Sequence, residues 1–175
     1  MRHTRRSALR HDGRMKVTHT ATYDAPAAEV YAMLTDPAYR EHSAAATGVI
    51  SATVTIEESD GGHVVTIDQV QPTEGVPSFA RKFAGDTTRA IQVETWTSPT
   101  AGTLSVQTPG RPTDISGIYT LVELGGRTTQ TFEGEVRAKV PLIGGKLEGL
   151  MAQLFVEGKD KEEAAAVAWL AGDRG

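Results

Sequence analysis

Residues 139–154 read KVPLIGGKLEGLMAQL, where a proline and an apolar spacing that suit a helix meet two glycines at the point where that helix should begin. Pro141 fits a first helical turn. After it Leu142, Ile143, Leu147, Leu150, Met151, Leu154 and Phe155, and later Ala165, Ala168 and Trp169, fall on one stripe. That stripe predicts a helix of about 28 residues, mildly interrupted at Gly158 and ended by Gly172. Each interior glycine costs a helix about 1 kcal/mol relative to alanine, so Gly144 and Gly145 need a geometric reason. The preferred reading is a helix whose glycines let its first turn approach a neighbouring backbone and leave space beside the side chains that follow. The rival is a loop, with the helix starting near Lys146. A phosphate-binding turn is a poor third, because GGK lacks a glycine five residues before Gly145 and is followed by Leu147 instead of Ser or Thr.

Upstream, residues 16–23 (KVTHTATY) alternate as a strand, with Val17, His19, Ala21 and Tyr23 on one face. Asp24 and Pro26 open a short helix that carries Val30, Tyr31 and Leu34 on one stripe, and Asp36–Pro37 stops it. A second short helix is expected over about 38–46. Then come strands near 49–58, 63–70, 88–97, 102–108, 113–124 and 127–140, separated by turns such as SDGG at 59–62. Residues 71–87 are looser, with one or two helical turns in PSFARKF that bring Phe79 and Phe83 together at i, i+4. The expected architecture is α+β: a curved antiparallel sheet of about seven strands wrapped around the long C-terminal helix, the one element long enough to cover the sheet's apolar face.

The chain has 175 residues, no cysteine and a net charge of −4. That length suits one domain with a sizeable core, and disulfides and thiolate metal sites are excluded. Residues 1–14 (MRHTRRSALRHDGR) hold five arginines and one aspartate, which leaves thirteen basic against twenty-one acidic residues in 15–175. An acidic domain argues against a nucleic-acid groove. The segment 1–14 is expected to be a disordered tail or an over-extended start, with Met15 the natural beginning of one domain over 15–175. A basic arm for an acidic surface is the alternative. A secretion signal is discounted because no apolar stretch follows Arg6. A cytoplasmic location is expected. No apolar run approaches the roughly 20 residues of a membrane helix, so no integral membrane contact is expected.

The stretches TATYDAPAAEVYAMLTDPAYR and VPLIGGKLEGL resemble the helix-grip superfamily of START domains, pollen-allergen-like proteins and polyketide cyclases, the second being most similar to an uncharacterised branch. The resemblance spans residues 15–171 and both motifs are architectural. It implies the helix-grip fold and a cavity between sheet and long helix for a small apolar or amphipathic molecule, such as a lipid, isoprenoid or polyketide. Some superfamily members carry out cyclisation or dehydration in that cavity.

Thirteen residues are expected to line such a cavity. From the strands these are His19, Tyr23, Ile67, Gln69, Val93, Trp96, Tyr119 and Phe132. From the loose segment and the long helix they are Phe79, Phe83, Leu147, Met151 and Leu154. Three functions compete: a carrier or sensor of a small apolar ligand, preferred; a cyclase or dehydratase using His19, Tyr119 or a strand carboxylate such as Asp68 or Glu94; and an interaction module or lid built on Phe79 and Phe83. The enzyme reading requires its groups to converge on one cavity. No catalytic residue is assigned. Histidines 3, 11, 19, 42 and 63 show no metal-ligand spacing, and no dinucleotide, nucleophile-elbow or calcium-loop pattern occurs, so neither metal nor cofactor is expected.

Overall fold

The computed structural model describes residues 10–11 and 14–174. The remaining residues of the basic segment 1–14 lie outside the described residues, as does the reading of that segment as a tail. The elements run β1 (Arg10–His11), β2 (Arg14–Tyr23), α1 (Ala27–Leu34), α2 (Pro37–Ala46), β3 (Ser51–Ser59), β4 (Gly62–Pro72), α3 (Ser78–Ala84), β5 (Thr87–Ser98), β6 (Ala101–Gln107), β7 (Thr113–Leu124), β8 (Arg127–Ala138) and α4 (Gly144–Leu170). One antiparallel sheet takes the order β1-β2-β8-β7-β6-β5-β4-β3. Seven strands are long and β1 has two residues. After β2 the chain crosses through α1 and α2 to the far edge at β3, then meanders back until β8 closes against β2. Asp36 caps α2, its carboxylate accepting from the Ala38 N–H at 2.9 Å.

The glycine question at the head of α4 has a direct answer. Residues 141–143 form a turn in which Leu142 takes a left-handed φ of 70°, and the helix begins at Gly144. A Cβ on Gly144 would stand 2.6 Å from the Ala138 carbonyl oxygen, so only glycine lets this turn rest on the end of β8. One turn later Glu148, buried on the same helix face, accepts the Ala138 N–H at 3.1 Å. Both polar groups of one strand-end residue therefore meet the first turns of α4, one by close approach and one by a hydrogen bond. That docking sets the angle at which α4 crosses the concave face.

Two glycines sit opposite each other in the middle of the sheet. Gly117 on β7 pairs with Gly134 on β8. A Cβ on either would come within 2.6 Å of Phe132 Cζ and 2.4 Å of a facing carbonyl oxygen, so the tip of the Phe132 ring fits over the pair only because both are glycine. From it a line of rings crosses the concave face: Phe155 of α4 to Phe132 (5.0 Å between centroids), Phe132 to Tyr119 (5.2 Å), Tyr119 stacked on Trp96 (5.6 Å), and Trp96 to Tyr31 of α1 (5.9 Å). Each such pair adds about 0.5–1.5 kcal/mol beyond burial. These rings fill the core along this line. On the α3 side α4 stands clear of the sheet.

Candidate ligand cavity

The gap between α4 and the sheet on the α3 side is a cavity of about 250 Å³. Its floor is the face of α4 that carries Leu147, Leu150, Met151, Leu154 and Phe155. At 1.5 Å per residue the helical wall from Leu147 to Glu162 extends about 22 Å. The sheet contributes Gln69, Gln71, Ala90, Gln92, Val106 and Ile115 from β4 through β7. Val76 and the α3 residues Ala80, Phe83 and Ala84 close one end, and Thr47, Lys159 and Glu162 close the other. For scale, an apolar cavity of about 150 Å³ takes benzene. By proportion this one takes a bicyclic body of about ten heavy atoms.

Gly158 also lines the cavity, and a Cβ placed on it would meet nothing within 4 Å. In the middle of a 27-residue helix this glycine costs about 1 kcal/mol relative to alanine, with no close approach to compensate. Its effect is the space it leaves open.

Beyond the inner end lies a buried polar knot. Arg40 of α2 donates to both oxygens of Glu94 on β5, at 3.2 and 2.5 Å, and to the Leu34 carbonyl at 2.6 Å. Gln92 Nε2 and Trp96 Nε1 also donate to Glu94, at 2.9 and 3.0 Å. Burial alone would raise the Glu94 pKa. The Arg40 and Lys159 charges and the hydrogen bonds from Arg40 and Trp96 more than reverse this, so the carboxyl is held below its ordinary 4.5. Lys159 of α4 donates to Glu162 at 2.7 Å. Burial disfavours its charge, but Glu162, Tyr119 and Glu94 outweigh that and raise its pKa, so it is a firm cation. Burial drives the Tyr39 phenol up to about 12 and raises those of Tyr23 and Tyr119 further. Among these groups lies a second, polar space of about 20 Å³, room for one water molecule.

The predicted site residues divide among five places. Gln69, Phe83, Leu147, Met151 and Leu154 line the 250 Å³ cavity. His19, Tyr23, Tyr119 and Phe132 border the small polar space. Ile67 and Trp96 are buried in the core. Val93 sits on the convex side, because β5 turns Ala90, Gln92, Glu94 and Trp96 inward. Phe79 packs with Phe83 against Ala80, Ala138 and Leu147 but lies outside the cavity lining, under Lys146, whose Nζ is 4.2 Å from the ring centroid. The two strand carboxylates are on opposite faces: Glu94 is in the knot, while Asp68 is half-buried on the outer face and paired to Arg89.

Sequence reasoning missed Lys159, Glu162, Gly158 and Arg40. The segment GKDKEEAA looks like a solvated face, and only the packing of α2 and β2 around α4 buries part of it. Long-range packing also brings His19 Nε2 to 3.0 Å from Asp160 and 3.8 Å from Glu163. Local spacing could not have revealed that trio of potential metal ligands, and the hydrogen bond to Asp160 accounts for the contact.

Among the described residues no helix is long and apolar enough to cross a membrane. No curated protein matches the chain. Its fold is shared by solved structures of low sequence identity. TTHA0849 from Thermus thermophilus is 19% identical, with a TM-score of 0.61 over 87% of this chain and 97% of that one. The Zhui aromatase/cyclase from Streptomyces sp. R1128 is 16% identical, with a TM-score of 0.60 over 89% and 93%. A START superfamily protein from Mycobacterium smegmatis is 16% identical, with a TM-score of 0.59 over 90% and 99%. The fold is thus the START and polyketide-cyclase-like helix grip. Over residues 18–170 the chain matches the family described as "Protein of unknown function (DUF2505)", and it belongs to that family.

Proposed function

We propose that the protein binds and carries a small, mainly apolar molecule in the cavity between α4 and β4–β7. The observation that carries this reading is the cavity itself: about 250 Å³, floored by Leu147, Leu150, Met151, Leu154 and Phe155, with amide and hydroxyl groups on its walls. Ligand sites in proteins have this composition, an apolar bed with a few polar groups that orient the guest. Ile67, Trp96 and Phe132 support the site from behind, and His19, Tyr23 and Tyr119 belong to the polar space beyond it. Phe83 on α3 closes one end, with Arg111 over its outer face at 5.1 Å, so α3 is the natural door.

The enzyme alternative has less support. His19, Tyr119 and Glu94 do border one space, but it has room for only a water, and both Glu94 oxygens are engaged by Arg40, Gln92 and Trp96. The fold shared with an aromatase/cyclase at 16% identity supplies no catalytic group to this chain. The test is to incubate the pure protein with cell extract, repurify it and record its native mass. The expected result is a discrete small-molecule adduct that solvent extraction removes. Recovery of the bare chain mass from extracts of several sources would contradict the proposal.

A further inference from the structure

We infer that the ligand is an organic acid: an apolar body whose carboxylate, or an equivalent anionic oxygen, seats against Lys159 at the inner end of the cavity. This deepens the carrier reading and rests on the cavity being the ligand site. Among the described residues that line the cavity, Lys159 is the one cation and Glu162 the one anion. They differ in freedom. The Lys159 side chain is 8% exposed and that of Glu162 is 27% exposed. Lys159 is also hemmed by two rings, with Nζ 5.6 Å from the Tyr119 centroid and 5.4 Å from that of Phe155. The cation stays in the cavity, whereas the Glu162 carboxylate can swing to water.

Charge balance fixes the sign of the guest. Inside, Arg40 is matched by Glu94 and Lys159 by Glu162. A ligand carboxylate that takes the place of Glu162 on Nζ keeps that balance, and the displaced carboxylate regains its hydration. A cationic ligand end would have to face Lys159 directly. A neutral end would accept from Nζ with only the donor charged, a weaker bond than the ion pair it replaces. Room for the head group exists where it is needed, since Gly158, next to Lys159, faces open space. The apolar body then lies toward Leu147 on the α4 floor.

The test uses two probes with the same ring system and nearly the same shape, 2-naphthoate and 2-acetylnaphthalene, titrated calorimetrically at neutral pH. The intact protein is expected to bind naphthoate about tenfold or more tightly than the ketone. Lys159→Gln should bring naphthoate down to the affinity of the ketone and leave the ketone unchanged. Glu162→Gln, which removes the competing carboxylate, should tighten naphthoate several-fold. It decides the matter should the lysine variant not fold. Equal binding of the two probes to the intact protein, or unchanged naphthoate affinity in Glu162→Gln, overturns the inference and leaves the cavity reading standing. Failure of both probes to bind overturns the two together.

Discussion

Replacing Arg40 by methionine is expected to cost the fold about 3–5 kcal/mol, read as a fall in the urea midpoint with the slope unchanged. The reason is the group left behind. Glu94 is fully buried in the core with its carboxylate ionised, and without the guanidinium its burial penalty is uncompensated. The double variant Arg40→Met, Glu94→Gln should recover part of the loss, because no orphaned charge then remains. An Arg40→Met variant that loses less than about 1 kcal/mol would show that the pair behaves like an exposed one.

The same pair fixes a pH dependence. The folded-state pKa of Glu94 lies below its ordinary 4.5, so the folded state favours the ionised form. Its contribution is fully present above the unfolded-state value and is lost as pH falls through the folded-state one. Stability of the intact protein should therefore hold from neutral pH down to about pH 5 and decline below it. In Arg40→Met the sign reverses, since burial without the partner raises the pKa. The deficit of that variant should shrink on acidification, as the buried carboxyl takes up a proton.

Gly158→Leu is expected to raise stability and abolish binding together. Exchanging a mid-helix glycine for leucine gains roughly 0.5–1 kcal/mol from helix propensity alone. Nothing lies within 4 Å of the new Cβ, and the rest of the side chain has the cavity to enter. The leucine side chain then occupies the cavity in front of Lys159, and affinity for a naphthalene-sized probe should fall at least about a hundredfold. Gly149→Ala is the control. Its Cβ would make an ordinary contact with Met15 at 3.7 Å, and Gly149 does not line the cavity, so binding should be unchanged. Thermal melts and a probe titration on the same samples separate the two effects. A Gly158→Leu protein that binds as well as its parent would place the ligand elsewhere.

The architecture was legible in the sequence because local signals and global packing agree over most of the chain. The alternation in β2, β7 and β8 put Val17, Ala21, Ile115, Tyr119, Phe132 and Val136 on the buried face. The Asp36–Pro37 stop separated α1 from α2 as expected. The segment GGKLEG also fits its reading as a close approach, although the helix starts three residues after Pro141.

The lining of the candidate cavity is legible in the sequence on its apolar side and obscure on its polar side. Leu147, Met151 and Leu154 follow from helical periodicity, since the face that covers a sheet also floors any gap left under it. In β5 the usual alternation is inverted. Ile91 and Val93 look like an inward face, yet Gln92 and Glu94 point inward, where Arg40 and Gln92 both donate to Glu94. A strand cannot announce a partner that arrives from a helix more than fifty positions away. Nor can DKEE reveal which of its charges the fold will bury. Gly158 looked like an interruption of α4, and its significance lies in a void that only the assembled tertiary structure creates.

Ligand carriage requires one physical feature, an apolar hollow between α4 and β4–β7 that accepts a guest. A crystal pressurised with xenon tests it without knowledge of the natural ligand, because xenon settles in apolar cavities. The expected result is a xenon peak enclosed by Leu147, Met151, Leu154 and Val106, absent from Gly158→Leu crystals treated alike. Xenon found only on the surface, or side chains filling the space under α3, would contradict it.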